Sequence, residues 1–543
     1  MAALRIAACQ LNPTVGDIEG NVDSIVEQLH AQAAAGAQLV VFGELAISGY
    51  PPEDLLLKRA FTDACDGGLA RVVAATRQHP GLVAVLGACE QVDALRRYNT
   101  AVFCRDGAIV ARHRKRLLPN YAVFDEHRWF DEGDVAVPVV DVQGVRVAAV
   151  VCEDVWFKEG PVAEAANGGA DLVVVVNGSP YVRGRLDDRV EICAARVREA
   201  GVPMVYVNQV GGQDELIFDG GSFALQADGS LAALGPQMVE YSTVIDFEDG
   251  QLRGDVAPRL SALDEVYDAL VLATRDYVDK NGFNEVAVSL SGGIDSSLVS
   301  AIAVDALGAD RVHVVALPSR YSSAGSVEDA EKLARNFGID FSVIPIEPAH
   351  AAFLEMFVPH FEGRPPDLAE ENLQSRIRGV VMMALSNKLG WAPILTCGNK
   401  SESAVGYSTL YGDTAGGFAV IRDVPKLLVY ALARRRNERA GYDAIPAAVL
   451  EKAPSAELRP DQRDDQSLPP YEVLDPILEM YVEEDASVAD IVAAGFDDAT
   501  VRRVVQLVDR SEYKRRQTPL GPRITDKAFG RDRRVPITNR FTG

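Results

Sequence analysis

The sequence predicts an α/β fold built as two large units. Two observations carry this. Short apolar, β-rich runs alternate with amphipathic helical stretches along nearly the whole chain, and one aperiodic Gly-, Asp- and Pro-containing stretch near 247–260 interrupts the rhythm. Composition agrees. Of 543 residues, 48% are hydrophobic and 24% charged, ordinary globular values that exclude disordered and fibrous architectures. At roughly 150 residues per domain the length admits three or four small units or two large ones.

The elements follow in order. LRIAACQL opens as a strand. Residues 21–36 place Val22, Ile25, Val26 and Leu29 at helical spacing and end at Gly36. AQLVVFGE, LVAVLGAC, NTAVFCRDG, RVAAVVCED, DLVVVVNGS and PMVYVNQVG read as further strands that run into polar loops. This sets a first domain over 1–250 and a linker over 251–259. A helix starts near Ser261, with Leu263, Val266, Tyr267 and Leu270 spaced by three and four. EVAVSL, VHVVAL and APILTC are buried strands of a second α/β domain, 260–543. The Pro- and Asp-rich segment 453–472 reads as a solvated loop or a mobile lid.

The formal charge is −24, with a pI near 4.8. Such an anion is no general binder of nucleic acid or of an anionic membrane. An anionic substrate must meet a local basic patch. Residues 514–543 supply one candidate, with nine basic and two acidic residues; an interface or a disordered tail is the other reading. The longest apolar runs, such as LVVVVN at 172–177, fall far short of the ~20 residues that span a bilayer. No secretory leader is visible. Seven scattered cysteines without a CxxC pair point to the reducing cytoplasm.

Three reactive side chains lie where predicted strands meet loops. Glu44 follows VVFG, Lys115 lies in RHRKRLLPNY, and Cys152 ends RVAAVVC. A Cys ending an apolar run is ordinarily buried and inert, a Glu after a strand is ordinarily a turn, and a basic run is ordinarily a surface face. Together they suit nucleophilic catalysis. A thiolate needs a base for its proton and a nearby ammonium to stabilise it and the oxyanion.

FGELAISGYPPEDL, KRLLPNYAVFDE and VVCEDVW, with NGSPY and DGGSF, resemble the nitrilase/amidase superfamily in its glutamine amidotransferase branch. The resemblance implies an α-β-β-α sandwich. It makes Cys152 the nucleophile, Glu44 the general base and Lys115 the stabilising cation. It makes Glu126 a second active-site glutamate, and Tyr121, Ser179 and Arg185 glutamine-holding residues. Cys152 would then attack the glutamine side-chain amide to give a γ-glutamyl thioester and ammonia.

EVAVSLSGGIDSSLVSAIA reads as a buried strand, a Gly-Gly turn and a helix start. Ser291, Gly292, Gly293, Ser296 and Ser297 can aim N–H and hydroxyl groups at phosphate, and Asp295 offers an oxygen to Mg²⁺. The loop GxxxxGK[ST] is absent, which argues against γ-phosphoryl transfer.

SGGIDSS resembles the N-type ATP pyrophosphatases, and VVALPSRYSS, EENLQSRIRG, CGNKSESAVGYSTLYGD, RDVPK, EYKRRQ and ITNRF narrow the resemblance to NAD synthetases. It implies a Rossmann-like, doubly wound parallel sheet. It places Arg320 and Arg376 near ATP with the glycine loop, and Asp295 and Glu402 on Mg²⁺. Asn372, Asp413, Lys426 and Lys514 become contacts to the dinucleotide or reaction centre. Arg378 reads as structural, paired with an acid, or as a ligand contact. Cys397 stands where the family commonly has threonine.

The two resemblances in this order are those of the glutamine-dependent NAD⁺ synthetase family. They imply a homo-oligomer that takes glutamine, ATP and nicotinic acid adenine dinucleotide. Two other readings stay open: an amidotransferase of another acceptor, and a non-catalytic regulatory homologue.

Overall fold

The computed structural model describes residues 3–93, 96–460 and 462–541. They form two compact units, one up to Ala262 and one from Leu263 onward.

The first unit is a sandwich of two sheets. The seven-stranded sheet runs Gln251–Gly254, Tyr241–Glu248, Ala3–Gln10, Leu39–Val41, Val83–Gln91, Arg97–Arg105, Ala108–Arg114. The six-stranded sheet runs Leu231–Leu234, Phe223–Leu225, Met204–Asn208, Leu172–Asn177, Val145–Val151, Val139–Val142. Their inner faces meet through Ile6, Val41 and Val85 on one side and Val147, Val174 and Val207 on the other. Helices Ile18–Ala34 and Arg59–Ala75 cover the outer face of the first sheet. Helices Pro161–Asn167 and Arg185–Ala200 cover that of the second. Strands covered on both faces need apolar residues throughout, which is why Leu172–Asn177 reads LVVVVN and is wholly buried.

One boundary differs from the sequence reading. Gln251–Gly254, expected to start the linker, is a strand paired with Tyr241–Glu248. Asp249 and Gly250 adopt the left-handed φ values of a tight hairpin, so the Asp-Gly signal there marks a turn rather than an exit from the fold.

The second unit holds a five-stranded parallel sheet in the order Asp340–Val343, Val312–Ala316, Glu285–Ser289, Trp391–Thr396, Phe418–Ala419. The chain builds outward from Glu285–Ser289 in one direction, then returns to its other side. Such a reversal opens a crevice at the carboxyl ends of the two central strands. Helix Leu368–Leu389 packs Ile377 and Met382 on Ala287, Val315 and Ile394. Helix Ile294–Leu307 is buried almost all round, as its apolar sequence requires. Helices Tyr471–Leu478, Val488–Ala493 and Asp498–Arg510 add a separate apolar cluster.

Gly87 shows how tightly the first unit holds its functional turn. A Cβ there would lie 2.4 Å from the Leu45 nitrogen and 2.6 Å from Glu44 Cα. Gly87→Ala should cost ~1–3 kcal/mol through overpacking, read as a lower thermal midpoint.

Candidate active sites

In the first unit, strand ends from both sheets bring the reactive side chains together. Glu44 follows Leu39–Val41, Lys115 follows Ala108–Arg114 directly, and Cys152 follows Val145–Val151 directly. All three are buried. Cys152 sits at φ 43°, the left-handed region that a non-glycine residue occupies at a cost of order 1–3 kcal/mol. Asp154 holds this bend. Its Oδ2 accepts from Val151 N at 3.2 Å and pairs with His113 Nε2 at 2.8 Å, while Oδ1 accepts from the backbone of Arg116 and Leu117.

Lys115 Nζ donates to Glu44 Oε1 at 2.8 Å and lies 2.8 Å from Glu126 Oε2. Glu44 is fixed further by Asn99 Nδ2 at 2.6 Å and Gly178 N at 3.0 Å. Tyr50 OH donates to Glu126 at 2.9 Å. Burial opposes the ammonium, but the charges of Glu126 and Glu44 outweigh it and hold Lys115 protonated well above the ordinary range. Burial pushes Glu126 up to about 7, with Lys115 pulling against it and Glu44 adding to it. Burial also pushes the Cys152 thiol well up; the Glu44 charge adds to this and Lys115 opposes it. The resting group is therefore a thiol, and attack requires a base to take its proton.

The remaining residues expected here take distinct places. Tyr121 is exposed and donates to Glu153 at 3.0 Å. Ser179 is buried, and its Oγ accepts from Arg189 Nε at 3.1 Å. Arg185 opens its helix 3.4 Å from Asp188. Sequence reasoning passed over Tyr50, Asn99, Asp154 and Arg189. Arg189 had a signal: it interrupts the buried face of Leu186, Cys193 and Val197. It is itself fully buried, paired with Asp219 at 2.6 Å and bonded to the Ser179 and Pro180 carbonyls.

In the second unit the glycine turn lies at the sheet's reversal point. Gly292 has φ 76°, and a Cβ there would meet the Ser326 carbonyl oxygen at 2.1 Å, so the position accepts only glycine. Ser291 Oγ accepts from Gly293 N at 3.3 Å. Ser296 and Ser297 hydroxyls donate to the Gly293 carbonyl at 3.2 and 2.8 Å. Asp295, in the first helical turn, has its Oδ1 held by Asn399 Nδ2 at 2.9 Å. Asn399 also caps the next helix, accepting from Glu402 N at 2.9 Å.

Lys426 Nζ lies 2.5 Å from Asp295 and 3.1 Å from Glu402. The two carboxylates thus converge on one cationic position. Burial pushes Glu402 up to about 7, against the pull of Lys426. A divalent cation that shares its shell with phosphates needs one or two carboxylates, and this pair fits that requirement. Among the described residues no three His, Cys, Asp or Glu side chains are grouped to hold a metal.

A second group surrounds residues 406–413. Lys514 Nζ donates to the carbonyls of Gly406 and Ser408, and Arg376 Nε to that of Leu410. Asp413 accepts from Thr409 N and Ser375 Oγ, and Asn372 from Thr409 Oγ1. Arg320 is not part of either group; its guanidinium pairs with Glu347. Arg378 donates to the Leu317 carbonyl at 2.9 Å, and burial lowers it to about 10. Part of the basic tail is spent inside the fold. Arg515, Arg516 and Arg533 converge on Glu512, and Arg523 pairs with Asp532. Part of the nine-to-two excess of charge counted in the sequence is thus answered within the fold, by buried Glu512 just upstream and by Asp532 inside the tail.

Residues 5–250 match the carbon-nitrogen hydrolase family and residues 266–518 the NAD synthase family. The chain is 48% identical to the glutamine-dependent NAD(+) synthetase of Xanthomonas campestris, over 99% of this chain and 98% of that protein. It is 44% identical to the Acinetobacter baylyi protein of the same name, over 99% of each. The chain belongs to the glutamine-dependent NAD(+) synthetases. A solved glutamine-dependent NAD⁺ synthetase from Acinetobacter baumannii, in complex with ADP, superposes with a TM-score of 0.80 at 41% identity, covering 99% of both chains. One from Cytophaga hutchinsonii shares the fold at a TM-score of 0.86 and 20% identity, covering 99% of this chain and 98% of that one. Among the described residues no helix is long and apolar enough to cross a membrane.

The buried ammonium of the first site is open to a stability test. Lys115→Met leaves two buried carboxylates without their cation, and should cost ~3–5 kcal/mol in urea unfolding.

Proposed function

We propose that this synthetase hydrolyses glutamine in its first unit and uses the ammonia to amidate nicotinic acid adenine dinucleotide in its second. The observation that supports this best is the pair of sites, each built around a buried lysine between two carboxylates.

In the first reaction Cys152 Sγ attacks the glutamine side-chain carbonyl while Glu44 takes the thiol proton. Lys115 stabilises the oxyanion. The C–N bond breaks, the proton returns to the departing ammonia, and water cleaves the thioester to glutamate. Glu126 keeps Lys115 in place. Tyr121, Ser179 and Arg185 hold the substrate's polar ends.

In the second reaction the nicotinate carboxylate attacks the α-phosphorus of ATP, and pyrophosphate leaves. Ammonia then attacks the acyl carbon, giving the amide and AMP. Ser291, Gly292, Gly293, Asp295, Ser296 and Ser297 form the phosphate cradle, with Arg320 and Arg376 as further anion contacts. Asn372, Asp413, Lys426 and Lys514 hold the dinucleotide. Asp295 and Glu402 would hold Mg²⁺, which when bound neutralises phosphate charge. The seven free thiols support a cytoplasmic location as part of the same proposal.

Cys152→Ala should abolish NAD⁺ formation from glutamine and spare formation from ammonium chloride. Equal loss of both would contradict two separate reactions. Asp295→Ala should remove both synthetic activities while glutamine hydrolysis persists.

A homo-oligomer belongs to the same proposal. Phe353, Met356, Phe357 and Phe361 line one face of the helix Glu347–Phe361, with Phe353 and Met356 exposed, and Val380 and Met383 lie exposed on the helix Leu368–Leu389. An apolar stripe at three- and four-residue spacing suits a partner helix. Met356→Glu should lower the mass measured by light scattering; an unchanged mass would remove this face from the interface.

A further inference from the structure

Lys426 stands where the proposed metal would stand. Its ammonium bridges Asp295 Oδ2 and Glu402 Oε1. Asn399 holds the Asp295 carboxylate directly and accepts from the backbone N of Glu402. The backbone of Lys426 is also fixed, donating to Ser401 Oγ at 2.9 Å. If a cation binds the two carboxylates, the side chain of Lys426 is what must give way. It is only 2% exposed, so it has no route to water without another anion to receive it.

Asp464 is that anion. It lies on the irregular Pro- and Asp-rich segment and is 5% exposed. Its Oδ2 accepts from Tyr471 OH at 3.0 Å, whereas its Oδ1 is buried with no hydrogen-bond partner. Tyr407 is a neighbour whose hydroxyl interacts with the Asp464 carboxylate. The charges of Asp464 and Lys426 act on each other. Lys426 Nζ sits 5.4 Å from the centre of the Tyr471 ring, whose hydroxyl fixes Asp464. The ring face therefore gives the ammonium a favourable surface between its two partners. Asp475 is excluded as the acceptor, because its oxygens are already engaged by Ser401 Oγ and Leu427 N.

We propose that Asp464 is a positioning residue: its carboxylate receives the Lys426 ammonium when Asp295 and Glu402 engage a divalent cation. This rests on the reading of Asp295 and Glu402 as metal ligands. Tyr471 holds the acceptor in place, and the ammonium stays in the site.

Mn²⁺ binding to the full chain, followed by the EPR signal of the free ion, tests this without relying on catalysis. Asp464→Asn should weaken Mn²⁺ binding about tenfold, and Tyr471→Phe should weaken it in the same direction. In a Lys426→Met background no ammonium needs a new partner, so Asp464→Asn should change the affinity by less than about twofold. The same loss in both backgrounds, or no loss in the first, would overturn the proposal. Should Asp464→Asn fail to fold, Tyr471→Phe carries the same comparison. If Asp295→Asn leaves Mn²⁺ binding intact, the metal reading itself fails, and the proposal with it.

Discussion

A lysine ammonium taken out of water is stable only with anions packed around it, and this protein uses that constraint twice. Lys115 lies between Glu44 and Glu126, and Lys426 between Asp295 and Glu402. In each case one cation faces two carboxylates. The surplus negative charge is disfavoured by burial, and one carboxylate of each set, Glu126 or Glu402, is pushed up to about 7. Each site is therefore poised between one proton and one positive charge from outside. Chemistry that moves a proton or brings in a cation starts from such a balance.

The supports of these clusters are single polar side chains that tie backbone to reactive groups. The Cys152 bend is tied by Asp154, which also receives two amides of the loop that carries Lys115. Cysteine and lysine thus move as one piece. In the second unit Asn399 does the equivalent work, joining the helix that starts at the glycine turn to the one that carries Glu402. In both, a single polar side chain with several partners sets the geometry of reactive groups that lie far apart in sequence.

The two-unit α/β plan was legible because strands covered on both faces must be apolar throughout, and helices that cover them must repeat at three to four residues. Glu44, Lys115, Cys152 and the SGGIDSS turn were legible because together, and in their motifs, they make chemical sense at predicted strand ends, although each alone is ordinary there. What escaped had no such combination. Asn99 lies within an unremarkable strand, and only its partner in the folded state marks it. The intramolecular partners of Arg320 and of the basic tail escaped for the same reason in reverse. The basic charge was evident, but Glu347, Glu512 and Asp532, which answer it, are identified only by three-dimensional pairing. The hairpin at 249–250 was taken for a boundary because a turn and a linker share the same residue types.

The first strand of the chain pairs on one side with Leu39–Val41 and on the other with Tyr241–Glu248. The second pairing joins residues such as Ala3 and Glu248, almost the whole length of the unit apart. Such a contact closes a very long loop and forms late. During synthesis the amino-terminal strand must therefore wait with one edge unpaired until roughly 250 residues have left the ribosome. An exposed edge of that kind invites the wrong neighbour. The first unit is thus the part of this protein whose production should depend most on chaperones and on the pace of translation.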